Sequence, residues 1–222
     1  MNRWMMVVFV ALCTTGRVLA QTALGLPVDG VKTIWLNDQV GKNQVQFVSA
    51  APMEEIRGTA MGVSGKVVID PQNLEAMTGH IEVSVAQMET GIKKRDEHLR
   101  SKDWLHADAF PVIVFDITGL KNITVKTDAG KAILKGIATG HFLLHGVTKP
   151  LDIPFDGTYL LSSEQTQKRA PGDFFVIQGH FKIALKDFEI EGARGMVGSR
   201  VGTEIDLKAN FFGSSEKQTD KE

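Results

Sequence analysis

The side chains able to do chemistry are few. The 222-residue chain has six histidines and a single cysteine, Cys13. One thiol excludes an intramolecular disulfide and a cysteine-based zinc cluster. His141 and His145 are four apart. On one strand face they would stand about 13 Å apart, too far for a zinc ion whose ligands sit at about 2 Å. His98 and His106 share a segment with Asp96, Asp103 and Asp108, but no spacing there matches a metal motif, and solvated or capping histidines explain them more simply. There is no Gly-x-Ser-x-Gly elbow. Ser64, in Gly62-Val63-Ser64-Gly65, falls short of that spacing and reads as a turn. No glycine-rich loop opens a helix that could cradle phosphate. Arg95, Asp96 and His98 form the most enzyme-like cluster. Either it serves an enzyme or metal protein, or it is a salt-bridged helix face that pins its segment to the body.

Charge and length narrow the classes. Lys+Arg number 25 and Asp+Glu 26, a net charge of −1, with no basic stripe of the kind nucleic acid requires. A hydrophobic share of 43% fits one globular domain rather than a disordered or polytopic membrane chain. The first residues form an address. Trp4 to Cys13 is an apolar run too short to span a bilayer, and Val18 and Ala20 are the small residues that signal peptidase accepts. The expectation is a signal peptide over 1–20, cleaved before Gln21, and a periplasmic or secreted protein. A lipoprotein anchor at Cys13 is disfavoured because Leu12 precedes it. Cleavage removes Arg3, Arg17 and Cys13, so 23 basic side chains face 26 acidic ones, a net −3. The mature chain has no thiol and no apolar run that spans a membrane. Its core must therefore hold the fold without disulfides.

The elements that would position a site are strands. Val201, Thr203, Ile205, Leu207, Ala209 and Phe211 alternate with polar residues, the period of a strand between a core and water. The same comb recurs at Phe175, Ile177, Gly179, Phe181, Ile183 and Leu185, and at Leu151, Ile153, Phe155, Gly157 and Tyr159. It recurs again at Ile81, Val83 and Val85, at Ile113, Phe115 and Ile117, and from Ala132 through Leu134, Gly136, Ala138, Gly140 and Phe142 to Leu144. Weaker strands are expected around 31–36, 43–49 and 55–70. Turn chemistry appears at 70–73, 128–130 and 146–150. Short connections favour antiparallel neighbours, so the fold class is all-β: an antiparallel β-barrel of about eight strands or a sandwich, with the long strands favouring the barrel. Gly136 and Gly140 would allow a bend or the close approach of a ligand.

Alternation stops over 88–109. There a short helix near 90–106, capped by Thr90, with a thin apolar stripe of Ile92, Leu99, Trp104 and Leu105, makes a lid-like insert. The tail 214–222 is small and charged and is expected to be disordered. An eight-stranded barrel is just wide enough for one small ligand. Inward combs of aliphatic and aromatic residues suit a greasy molecule, but a lumen filled by its own side chains satisfies the same pattern.

Three separated blocks tip that balance. Residues 90–115 read Thr90-Gly91, Arg95-Asp96, His98-Leu99-Arg100-Ser101, Trp104-Leu105 and Phe110-Pro111, then Ile113 and Phe115. Leu144-His145-Gly146-Val147-Thr148-Lys149-Pro150-Leu151 leads to Ile153-Pro154-Phe155, and Lys186-Asp187-Phe188-Glu189-Ile190 follows. Over roughly 80–210 the chain resembles the YceI-like family of secreted lipid-binding proteins. The N-terminal third departs from that family's usual pattern. The resemblance implies a lipocalin-like barrel domain over 21–213 in the periplasm, and a polyisoprenoid or similar amphiphile in its lumen. It also implies no covalent chemistry, no cofactor beyond a bound isoprenoid lipid or quinone-like ligand, and often a homodimer. The expected lining is Val83, Val85, Phe115, Phe142, Leu144, Phe155, Phe175, Ile177, Phe181, Ile183, Ile205 and Leu207, with Trp104 and Leu105 near one mouth. Beside this binding reading and the enzyme reading stands a third: a collapsed barrel acting as a protein-interaction module through an exposed apolar patch at Val112, Val114, Phe174 and Val176.

Overall fold

The structure, a computed structural model, describes residues 21–217. The expected signal peptide over 1–20 and the end of the expected tail, 218–222, lie outside the described residues. Eleven strands form one sheet: β1 (Lys32–Leu36), β2 (Gln44–Ala50), β3 (Glu55–Ala60), β4 (Val63–Ile69), β5 (Thr78–Ser84), β6 (Met88–Glu89), β7 (Val112–Asp128), β8 (Lys131–Leu144), β9 (Val147–Leu160), β10 (Phe174–Ala184) and β11 (Glu204–Ser214). The order β1-β4-β5-β7-β8-β9-β10-β11 closes on itself through Trp35 opposite Ser214 and Leu36 opposite Gly213. That is a closed eight-stranded antiparallel barrel.

The far half of β11 is not reached by β1. It pairs instead with β2, from Ile205 opposite Ser49 to Asn210 opposite Gln44. β2 pairs with β3, and β3 with the two-residue β6. The barrel is thus sealed by β1 at one end and by β2-β3-β6 at the other. The expected strand over 55–70 is two strands, divided at Gly62, which has a positive φ of 67° that only glycine takes without strain.

The period-two combs are the walls. Along β8, Ala132, Leu134, Ala138, Phe142 and Leu144 are buried, while Ile133, Lys135 and His141 face out. β7 runs eleven residues past Ile117, which alternation did not suggest. Its register slips between Ile117 and Gly119 and again between Lys121 and Thr124. Each bulge puts an extra residue on one strand and breaks the period. Gly140 lies against the first slip: a Cβ there would strike the backbone oxygen of Asp116. The glycine comb of β8 therefore accommodates the bent wall, and neither Gly136 nor Gly140 opens onto a cavity.

Several local expectations change. The turn expected at 146–150 is only His145-Gly146, both at positive φ, because Leu144 already pairs with Val147. His145 therefore leaves the strand, and its Nδ1 lies 3.1 Å from the Phe188 carbonyl oxygen. Pro150 and Pro154 sit where β9 has a partner on one side only, since β10 joins it from Phe155 onward. A proline without N–H costs least there. The chain over 200–203 turns rather than extends, with Val201 bridging Val197. Conversely, β11 continues through Ser214, whose side chain is fully buried and bonds Pro171 O, and Ser215 N donates to Asp173 O. The first residues of the expected disordered tail are thereby tied down. The expected apolar patch is broken up: Val114 is buried, Val40 and Ala170 cover Phe174, and Val112 and Val176 are half-buried.

Candidate functional site

The two ends of the barrel are built differently. At the β1 end the lumen is filled. Tyr159, Phe175, Ile34, Leu134 and Val67 are at most 1% exposed and pack with Leu24, whose N–H donates to Pro71 O. The Tyr159 hydroxyl donates to Asp173 at 2.8 Å. Burial and that carboxylate raise its pKa well above the ordinary phenol value. Thr22 fixes the segment that plugs this end, donating from its N–H and hydroxyl to Glu75 at 2.9 and 2.6 Å. Burial would raise the Glu75 pKa, but those two hydrogen bonds together with the one from its own backbone N–H hold the carboxyl below its usual range.

At the other end the lumen is hollow. An outer chamber of about 410 Å³ lies under three loops: 51–54, the insert after β5, and 185–203. An inner chamber of about 110 Å³ continues toward the plug, walled by Ile81, Ile117, Ala138, Phe155 and Phe211 among others. Phe47, Met88, Ile113, Phe142 and Leu207 border both chambers and form the neck between them. Phe142 is the hub of that neck. Its ring meets Phe181 edge-on at 6.0 Å and Phe188 at 5.6 Å, the T-shaped arrangement that aromatic quadrupoles favour.

Twelve of the fourteen residues expected to line the lumen or its mouth border these chambers. Val83, Phe115, Phe155, Ile177 and Phe181 line the inner one. Trp104, Leu144, Ile183 and Ile205 line the outer one, with Leu105 beside them. Phe142 and Leu207 touch both. Val85 and Phe175 touch neither. A 3-10 turn over Val85–Gln87 takes Val85 out of the strand and into side-chain packing, and Phe175 packs against Tyr159 in the plug with the rings tilted at 46°.

The expected lining omits Phe47, Met88 and Met196, and also Ile92 and Val201, which the sequence places only on the insert's stripe and at the start of a comb. Phe47 had a signal, because Val45, Phe47 and Ser49 alternate on β2. The tip of its ring approaches β3 closely because residue 58 is glycine; a Cβ there would collide with it. Met88 and Met196 lie on or beside loops, where no period marks the inward face.

Two residues of the enzyme-like cluster, Arg95 and Asp96, are held in structural bonds. Helix α1 (Lys93–Arg100) is not capped by the Thr90 side chain; its N-cap is Ile92, which makes no side-chain cap bond. Instead the buried Asp96 accepts from Thr90 N–H at 2.7 Å and from Thr90 Oγ1 at 2.6 Å. Arg95 donates from Nε to Thr90 Oγ1 and from Nη1 to Glu54, both at 2.9 Å, and Arg100 donates to Met88 O. These bonds clamp the insert to β6 and to the loop after β2. Of the expected apolar stripe, Leu105 is buried and Leu99 and Trp104 pack beside it, whereas Ile92 is exposed at the rim. His98 faces the outer chamber and makes no side-chain hydrogen bond. Among the described residues no three His, Asp or Glu side chains are grouped to hold a metal ion, and no helix is long and apolar enough to cross a membrane.

Known proteins share this architecture. The barrel resembles the crystal structure of Burkholderia cenocepacia BcnA at a TM-score of 0.58 and 18% identity, over 77% of this chain and 95% of that one. A polyisoprenoid binding domain from Saccharophagus degradans matches at a TM-score of 0.58 and 14% identity, over 83% and 98% of the two chains. In sequence, a UPF0312 protein of Photorhabdus laumondii is 29% identical over 160 residues, 72% of this chain and 74% of that one. Protein YceI of Escherichia coli O157:H7 shows the same identity and coverage. The sequence model of the YceI-like domain matches residues 37–211, reaching well before the motif blocks that begin at Thr90. With that match over most of its length and a closed eight-stranded barrel to carry it, the chain belongs to the YceI-like family.

Proposed function

We propose that this protein binds a lipophilic, isoprenoid-type chain in its lumen and carries or sequesters it without chemical change. It would act in the periplasm or as a secreted protein after cleavage before Gln21. The observation that carries the reading is the pair of joined apolar chambers, about 410 and 110 Å³, open at one end of an otherwise packed barrel. Cores are normally filled to crystal-like density. A hollow lined by Phe, Leu, Ile and Met loses those contacts unless an apolar guest restores them. Each methylene so buried contributes about 0.8 kcal/mol, and a folded flexible chain repays part of this as lost freedom. Residue 22 is already anchored at the plug, which agrees with a mature chain starting at Gln21. The polyisoprenoid binding domain of Saccharophagus degradans supports the ligand class by its likeness of fold.

The deciding experiment is native mass spectrometry of the protein purified from its own cell envelope. An apolar adduct that organic solvent removes, and that isoprenoid alcohols replace, is the expected result. Protein that is repeatedly empty and takes up no isoprenoid would overturn the reading. The same spectra give the mass in solution, which reads the homodimer expected from the family.

A further inference from the structure

We propose that the ligand carries an anionic head group, phosphate or carboxylate, held at the rim by Lys94 and Arg200 with His98 beside them. This rests on the lumen reading and names the class of amphiphile that it takes.

The argument begins with the shape. The lumen is stopped at the Tyr159–Phe175 plug, which is essentially without solvent exposure. A chain must therefore enter tail-first through the outer chamber, leaving its polar end at the rim. Five ionisable side chains line the outer chamber: Glu54, Lys94, Arg95, His98 and Arg200. Glu54 and Arg95 pair at 2.9 Å and cancel. Among the described residues, Lys94 and Arg200 have no carboxylate within ion-pair distance and their side chains donate no hydrogen bond, and His98 is likewise unpaired. The protein is net acidic, at −1 over the whole chain, so two free cations on the rim of its apolar cavity are a local reversal of sign. They come from different loops, the α1 insert and the 185–203 segment, and both line the one opening. An anion between them satisfies both, and a guanidinium can take phosphate or carboxylate bidentately. A neutral quinol or alcohol head would leave both charges unanswered.

The test compares two ligands with one tail, farnesyl phosphate and farnesol, on delipidated protein by Trp104 fluorescence or calorimetry. At low ionic strength farnesyl phosphate should bind at least about tenfold more tightly, with the gap closing as salt screens the rim. In a Lys94→Gln/Arg200→Gln double variant the ratio of the two affinities should fall to near one. Inorganic phosphate at matched concentration should displace neither ligand; displacement of farnesyl phosphate would instead assign the rim to a free anion. Equal affinities in the wild type, or a ratio that survives the double variant, would overturn the head-group inference while farnesol binding upholds the lumen. Failure of both ligands to bind would overturn the lumen reading, and this inference with it.

Discussion

Ala138→Phe should shorten the chain that the barrel accepts. Ala138 is buried on β8 and lines only the inner chamber. A ring built there projects into a space of about 110 Å³ and closes it, leaving the outer chamber beyond the Phe142 neck. The five carbons of one isoprene unit, at about 0.8 kcal/mol each, would gain about 4 kcal/mol from entering the inner chamber. Ordering that unit's rotors returns about half of it. The net loss is then about 2 kcal/mol, or roughly thirtyfold in Kd, and it should fall on ligands long enough to pass the neck. The assay titrates a series of isoprenoid alcohols of rising length into delipidated wild type and variant. Trp104 in the outer chamber reports binding, and Trp35 is replaced by Phe to remove the background. In the wild type affinity should climb with each unit; in the variant it should stop climbing once the outer chamber is full. A loss that is equal for short and long chains, or no loss at all, would refute the two-chamber reasoning. Ala209→Leu, which enters the same chamber from β11, repeats the test from the opposite wall should Ala138→Phe lower the melting temperature through overpacking.

Other changes probe the supports. Asp96→Ala removes the acceptor of two Thr90 donors and should cost about 1–3 kcal/mol, read as a lower melting temperature; an unchanged melt would show that the insert is held by packing alone. Tyr159→Phe strips the buried bond to Asp173 and should cost about 1–2 kcal/mol in urea unfolding, with the ligand affinities as the control that separates plug from lumen. His80 on the outer wall lies 2.9 Å from Glu82 and 2.6 Å from Asp116, and those bonds raise its pKa above the ordinary 6.5. Because the folded value is the higher one, its contribution to stability is fully present below about pH 6.5 and is lost as the pH rises through the folded value. The site is nearly half exposed, so the effect is small and fades with salt. Melting temperature against pH should accordingly be flatter for His80→Gln than for wild type over that window, and identical slopes would sink the assignment.

How much of this was legible in residues alone follows from what each signal measures. Alternation is local: a strand turns its side chains over every second residue whatever lies around it. The walls at Ala132–Leu144, Phe175–Ile183 and Ile205–Phe211 could therefore be read directly, and with them the barrel. The Arg95, Asp96 and His98 cluster could be found but not interpreted, since its partners Glu54 and Thr90 are matters of folding. β7 beyond Ile117 was hidden because its bulges break the very period that reveals a strand.

The sequence by itself determined the inward faces and the family. Only the tertiary structure decided where the inward faces leave a void. Phe175 and Ile177 belong to one comb and look alike, yet one seals the barrel against Tyr159 and the other borders a cavity. Whether a comb encloses space depends on the summed volume of side chains arriving from all eight strands, plus the segment at Leu24 that fills one end. No single strand carries that sum. The rim depends on it still more, because Lys94 and Arg200 are separated by more than a hundred residues and become neighbours of one opening only when the insert and the 185–203 loop close over the same end of the barrel.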